Sequence, residues 1–250
     1  MARYKLTLAY DGTDFFGSQR QAKKRTVQGE LEKALRGLGW KERSILLSGR
    51  TDTGVHATGQ VAACDLEWSH TDEELVRALN SKLPADLAVR SARIVREEFH
   101  PRFAAASRTY RYTLFHDALR DPIRERFAWR VNPNIRGDLL EQTEKVFIGT
   151  HDFSAFGSPT TPKGTTTRTV VKAEWTQTAN EDWQFEVEAD AFLYHMVRRL
   201  VFVQVEAAHR KISVEAVAEM LKQAKPAKRS GLAPAHGLTL VDVDYPESMK

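Results

Sequence analysis

Apolar and polar residues alternate from Arg3 to Tyr10, with Tyr4, Leu6, Leu8 and Tyr10 on one side, which predicts a strand buried on one face. The spacing then lengthens. Val27, Leu31, Leu35 and Leu38 recur at helical intervals behind Thr26, a residue suited to cap a helix. Strands are expected over Ser44 to Ser48 and Gln60 to Leu66. Thr71 and Glu74 have the spacing of a capping box for a helix through Leu75 and Leu79, and Leu87 to Val95 reads as a strand again. The order is βαββαβ.

The second half repeats that order in its own residues. Thr109 to Phe115 predicts a strand, Asp138 caps a helix ending near Gly149, and Thr169 to Gln177 and Trp183 to Ala189 alternate as two strands. Phe192 opens a long helix, and Leu238 to Val243 returns as a strand. A helix over Ser213 to Gln223 is an addition to this pattern. The expected fold class is α+β, with two tandem ferredoxin-like (RRM-like, βαββαβ) subdomains at 1–100 and 107–250, separated near Glu97 to Ala106. The halves share the order of elements without a convincing sequence repeat.

At 250 residues, 42% hydrophobic and 28% charged, the chain has the composition of an ordinary soluble protein of one or two domains. No apolar run has the length of a membrane span, and Met1 to Lys5 begins a strand instead of a signal peptide, so a cytoplasmic location away from the membrane is expected. Cys64 is the single cysteine, which rules out an internal disulfide, and no Cys and His cluster has zinc-ligand spacing. The net charge of +4 says little, but its distribution says more. Arg20, Lys23, Lys24 and Arg25 form one basic loop, Arg120, Arg124, Arg126 and Arg130 another cluster, and Lys225, Lys228 and Arg229 a third. Interleaved with Phe15, Phe16, Tyr110 and Trp129, these suit phosphate contact combined with base stacking.

The densest chemistry lies in Ser48-Gly49-Arg50-Thr51-Asp52-Thr53-Gly54-Val55-His56-Ala57, directly after the apolar Ile45-Leu46-Leu47. Gly49 and Gly54 open backbone conformations closed to other residues, and Thr51 and Thr53 can bond the loop's own amides, so Asp52 is expected to be held in place. Arg50 beside it favours the ionised carboxylate. Taken alone, the same residues also suit an Asx-turn between two strands.

These ten residues resemble the Gly-Arg-Thr-Asp-x-Gly-Val-His-Ala signature of the tRNA pseudouridine synthase A family. The resemblance begins at Tyr10-Asp11-Gly12-Thr13-Asp14-Phe15-Phe16-Gly17 with Gln19 and Gln21, and runs through Thr26-Val27-Gln28, Leu31-Glu32 and Ser107-Arg108-Thr109-Tyr110-Arg111-Tyr112. It continues through Gly149-Thr150-His151-Asp152-Phe153, Phe192-Leu193-Tyr194-His195-Met196-Val197-Arg198 and Gly231-Leu232-Ala233-Pro234-Ala235-His236-Gly237-Leu238. The blocks keep family order along the whole chain. Ser18 stands where the family usually has Trp, Cys64 where Phe is common, and Val201 to Ala208 lacks the usual glycines. None of these departures removes a group the reaction needs.

The resemblance implies two ferredoxin-like subdomains sharing a continuous antiparallel sheet with a central cleft. It further implies a homodimer that isomerises uridines 38, 39 and 40 in the anticodon stem-loop of tRNA without a cofactor. Asp52 is the implied catalytic carboxylate, and its role stays open among attack on the sugar, attack on the base and initiation of elimination. Arg198, on an otherwise apolar helix, is the implied partner that keeps Asp52 ionised, and Tyr110 offers a ring for the target base and a hydroxyl near C5. Arg50, Thr51, His56, Arg20, Lys24 and Tyr110 make up the expected substrate-binding set. A stacked uridine cannot reach a carboxylate, so the nucleotide must be extruded, and Arg50 could fill the vacated space.

Other classes fit less well. Asp52-Thr53-Gly54 spells an aspartic-protease triplet, but no second copy occurs to share the proton. A non-catalytic RNA-binding protein with two RRM-like domains is the stronger rival, although no RNP1-type run is present. Gly12 and Gly17 have P-loop spacing, yet Ser18-Gln19 follows where Lys-Ser or Lys-Thr is required, and His195-Met196-Val197-Arg198 is no zinc motif.

Overall fold

The alternating strand at the amino terminus, β1 (Ala2–Tyr10), is the centre of the first of two units and buries Tyr4, Leu6, Leu8 and Tyr10 as its pattern requires. The computed structural model describes residues 1–161, 164–224 and 231–249; the basic cluster at Lys225, Lys228 and Arg229 lies outside the described residues. The chain divides into one unit of Met1–Ala106 with Thr239–Lys250 and another of Ser107–Leu238.

In the first unit β1 is flanked on both sides by antiparallel neighbours, β3 (His56–Leu66) and β4 (Leu87–Val95), so that Leu6 lies opposite Ala62 on one side and Ala92 on the other. Helix α1 (Val27–Arg36) starts where Thr26 caps it, the hydroxyl accepting from the Gly29 amide, and buries Val27, Leu31, Ala34 and Leu35. Helix α2 (Asp72–Asn80) has both bonds of the Thr71 and Glu74 capping box. At its end the Asn80 amide brackets Val89, donating to its carbonyl and accepting from its N–H at 2.9 and 2.8 Å, which ties the helix to β4. Two strand boundaries move. The strand expected over Ser44 to Ser48 shrinks to β2 (Leu46–Leu47), paired with Ala62 and Ala63, while β3 starts four residues before Gln60, so His56 and Ala57 are strand residues.

The last strand corrects the expected domain limits. β10 (Leu238–Asp244) runs parallel to β3, pairing Thr239 with His56 and Leu240 with Ala57, and from Thr239 onward the chain belongs to the first unit, not to a second subdomain at 107–250. Alternation cannot reveal which strand will be a neighbour; the anchors show where this one is tied. The Ala106 amide donates to the Asp244 carbonyl, the buried Tyr245 hydroxyl donates to the Pro101 carbonyl at 2.8 Å, and its ring packs against Phe99.

The second unit is built on β5 (Ser107–His116), β7 (Gly149–Asp152), β8 (Thr167–Gln177) and β9 (Trp183–Ala189), antiparallel in the order β5-β9-β8-β7, with the short β6 (Trp129–Val131) parallel to the end of β5. Helices α3 (Gly137–Glu144), α4 (Met196–Ala208) and α5 (Val214–Gln223) complete it. Asp138 does not cap α3: Arg136 holds the cap position, Asp138 sits in the first turn 2.7 Å from the Arg136 guanidinium, and the helix gives way to a 3-10 turn after Glu144. Nor does Phe192 open α4. The Tyr194 amide donates to the Ser158 carbonyl, and His195 takes a left-handed conformation at φ 66°, so helical bonding starts only at Met196. Among the described residues no helix is long and apolar enough to cross a membrane.

Tyr245→Ala should cost about 3 kcal/mol, the scale of a large aromatic lost from a core. Hydrogen exchange should report the loss first in β1 and β3; protection there that survives the change would detach the terminal strand from the first unit.

Candidate active site

The Asp52 loop is shaped by two segments that meet at the ends of β1 and β3. After Tyr10 the chain turns through Asp11 and Gly12 and lies against Val55 and His56. The Gly12 amide donates to His56 Nδ1 at 2.9 Å, and a Cβ on Gly12 would sit 2.0 Å from the Val55 carbonyl oxygen, so only glycine permits this approach. Asp11 Oδ1 also comes within 3.2 Å of His56 Nδ1, but that nitrogen already accepts the Gly12 proton, so the contact is not an ion pair. Asp11 Oδ1 accepts instead from the Thr13 amide and hydroxyl, at 3.0 and 2.6 Å.

Asp52 heads a tight turn in which the Val55 amide returns to the Asp52 carbonyl at 3.2 Å, with Gly54 at φ 79° in the third position as a type II turn requires. Asp52 is half-buried, while Arg50 and Thr53 on either side are exposed. Beneath the loop lies a buried polar layer. The Tyr10 hydroxyl and Thr51 Oγ1 are 2.8 Å apart, the Gln60 amide donates to the Gly49 carbonyl at 3.2 Å, and Ser48 Oγ donates to Gln60 Oε1 at 2.7 Å. Burial pushes the Tyr10 phenol up to about 12, outweighing the opposing hydrogen bonds from Thr51 and Gln60, so it stays a neutral hydrogen-bonding group. Thr51 and His56, at 7% and 4% exposed, do not offer the open polar surface that the resemblance implies for substrate contact.

The basic loop is less free than its composition suggests. Arg20 binds the Glu32 carboxylate at 2.6 Å, and Arg25 grips Asp86 with both terminal nitrogens at 2.7 Å while its guanidinium lies 4.2 Å from the Phe15 ring. Lys24 instead lies with its ammonium 4.2 Å above the half-exposed Phe16 ring, an exposed cation and aromatic side by side. The second cluster is likewise engaged: Arg120 and Arg130 share Glu125, and Arg124 pairs with Asp182.

In the second unit Tyr110 is a β5 residue opposite Val187, its ring edge-on to Phe192 at 5.1 Å. Arg198, in the first turn of α4, donates from Nε to the Ala233 carbonyl at 2.7 Å, and the Ala233 amide returns to the Arg198 carbonyl at 3.2 Å. The neighbouring Pro234 carbonyl accepts from the buried Tyr112 hydroxyl at 2.8 Å. Burial raises the Tyr112 phenol well above its ordinary range, and burial with the nearby Arg198 charge lowers the His236 imidazole. Among the described residues no group of three or more His, Cys, Asp or Glu side chains could hold a metal ion.

The profile of a family described as tRNA pseudouridine synthase matches residues 7–104 and 145–246, most of both units. The tRNA pseudouridine synthase A of Chloroflexus aurantiacus is 39% identical over 100% of this chain and 91% of its own length, and that of Bacillus subtilis 40% identical over 97% and 99%. The chain belongs to this family. Among solved structures, a Cbf5-Nop10-Gar1 complex aligns with 81% of this chain and 44% of its own at 12% identity and a TM-score of 0.37, too slight a likeness to argue from.

Tyr10 opens a matching block and Ser18 is a departure from it, but neither they nor Gln60 were expected at the site, yet they hold the Asp52 loop from below. Gln60 carried a signal, an amide directly before the apolar run Val61 to Cys64, which once buried must find partners. The Ala233 carbonyl, an anchor for Arg198, carried none, because a backbone group has no sequence identity.

Glu32 is 1% exposed at its side chain and is also bonded by the Gln28 amide and the Ile45 N–H, while Arg20 is partly in water. Arg20→Ala should therefore lower the unfolding free energy by about 1–3 kcal/mol, less than for a fully buried pair, and Lys24→Ala by under about 0.5 kcal/mol. Urea titration separates the two; equal, negligible effects would return Arg20 to the surface.

Proposed function

We propose that the protein isomerises uridine to pseudouridine in the anticodon stem-loop of tRNA, at positions 38, 39 and 40, with Asp52 as the reacting carboxylate. The observation that carries this reading is the Asp52 turn, a half-buried carboxylate on a loop fixed from below by Tyr10, Thr51 and Gln60, in a chain that matches tRNA pseudouridine synthases A along its whole length. The reaction breaks the N1 to C1′ bond, turns the base and joins C5 to C1′, releasing the C5 hydrogen as a proton. N1, freed from C1′, takes up a proton in exchange, so the product is an isomer with no net change in atoms or electrons and the chemistry calls for no cofactor.

Arg198 and Tyr110 enter through their family positions. In this reading Arg198 is a catalytic residue alongside Asp52, and Tyr110 stacks on the target base with its hydroxyl near C5. The exposed Arg50 is suited to fill the space left by an extruded nucleotide, and Lys24 above Phe16 to meet phosphate and base together. A homodimer acting in the cytoplasm, and two ferredoxin-like subdomains with a cleft across a shared sheet, belong to the same reading on the strength of the resemblance.

Substrate tRNA carrying tritium at uridine C5 tests it. The wild-type protein should release label to water without added nucleotide, reductant or metal, Asp52→Asn should release none while binding tRNA within about tenfold of wild type, and tRNA with cytidines at the target positions should keep its label. Tyr110→Phe should bind and turn over slowly. Binding with no release from folded wild-type protein would favour the RNA-binding module instead.

Lys23, Lys24 and the half-exposed arginines predict that log Kd for tRNA rises steadily with log salt. Filter binding across a salt series measures the slope, and a flat response would remove phosphate contact from the account.

A further inference from the structure

One residue of another loop grips the segment that carries Asp52 at two backbone groups. Ser18 is fully buried; its amide donates to the Thr51 carbonyl at 3.1 Å and its hydroxyl oxygen accepts from the Thr51 amide at 2.9 Å. Thr51 is thus gripped on both backbone groups by one serine, and its hydroxyl meets Tyr10 at 2.8 Å. Ser18 is itself held by α1, whose first free amides are otherwise orphan donors: Val27 donates to the Gly17 carbonyl at 3.4 Å and Gln28 to the Ser18 carbonyl at 2.9 Å. Gly17, at φ 82°, lets the backbone pass so close that a Cβ there would stand 2.8 Å from the Thr51 oxygen.

We infer that Ser18 is a positioning residue for the reaction: through its two bonds to Thr51, with Tyr10 as the second support, it fixes the backbone from which Asp52 projects. The inference rests on the proposed role of Asp52 and extends it to a residue outside the signature loop. Position 18 is where this chain departs from the usual tryptophan, whose indole is a donor only and has no oxygen to receive the Thr51 amide. The serine hydroxyl therefore gives a support that an indole could not. Its removal leaves a buried N–H without an acceptor next to Asp52, and the loop can relieve that only by moving.

Ser18→Ala and Tyr10→Phe test the clamp separately. Each should lower the single-turnover rate of tritium release, by roughly tenfold for Ser18→Ala, the scale of one buried amide left unpaired, with KM for tRNA within about twofold of wild type. Ser18→Thr, which keeps the oxygen, should recover most of the rate. Thr51 amide exchange should quicken in Ser18→Ala at a temperature where melting shows the protein folded. That readout stands even if the wild-type protein releases no label, an outcome that would defeat the proposed reaction and not the clamp. An unchanged rate in both variants, or Thr51 exchange as slow in Ser18→Ala as in wild type, would overturn the inference.

Discussion

The first unit depends on one close approach: residues 12–18 lie directly against residues 51–56, nearer than any side chain at Gly12 would allow. Once these backbones touch, the end of β1 and the start of β3 are fixed relative to each other, Phe15 is driven into the core against Tyr10, and polar groups are enclosed beneath the Asp52 loop. Enclosing them is tolerable only because each bonds a neighbour. Gln60 bonds Gly49, Ser48 and, more loosely, Tyr10, and Thr51 bonds Tyr10 and Ser18. A layer of this kind, with little water to substitute for a lost partner, has one arrangement that satisfies everything and many that do not. It trades the plasticity of an apolar core for a defined loop position.

Charge is used in the same unit mainly to hold the chain. Arg3 on Asp65 and Arg25 on Asp86 join segments far apart in sequence, and in each case the arginine hydrogen bond holds the carboxyl below its usual range. The sign follows directly. A carboxylate with a depressed folded pKa stabilises above its unfolded value, near about 3.9 for Asp, and loses that contribution as pH falls through the folded value. These pairs therefore hold the unit together at neutral pH and release it in acid. Because their arginines are partly in water, the contribution of each is modest, and their larger effect is to remove cations from the surface counted as available to phosphate.

Legibility from the sequence followed the range of the forces involved. Period and capping are local, so β1, β4, β9 and both Thr-capped helix starts could be read directly from Tyr4 to Tyr10, Leu87 to Val95, Trp183 to Ala189, Thr26 and Thr71. The start of α4 was misplaced because Phe192 to Tyr194 has a helical apolar pattern, while its backbone is bound elsewhere, at Ser158. The unit that β10 joins was not legible because alternation records a face and not a neighbour. At the site, the signature pointed to Asp52 and Arg50, whose residue types announce chemistry. It could not show that Thr51 and His56, expected to bind substrate, are buried, since a hydroxyl or imidazole serves equally well as a buried strut. Ser18, a small residue read only as a departure, was silent for the same reason.

Arg198 shows the corresponding logic in the second unit. A guanidinium in the first turn of an apolar helix has five donors to place, and here Nε goes to a backbone carbonyl of the segment that begins at Gly231. That segment answers with the Ala233 amide on the Arg198 carbonyl and is pinned beyond it by Tyr112 on Pro234, so the two motif blocks, more than thirty residues apart, act as one holder. The arrangement resembles the one around Thr51 in kind: backbone groups of one segment bond a residue of another, Ala233 at Arg198 and Ser18 at Thr51. Backbone groups do not titrate, so such a holder keeps its geometry across a wide range of pH. The late Gly231 to Leu238 block, which carries no strong acid, base or nucleophile apart from His236, therefore contributes to the second unit through its backbone, as the segment that Arg198 and Tyr112 both bond.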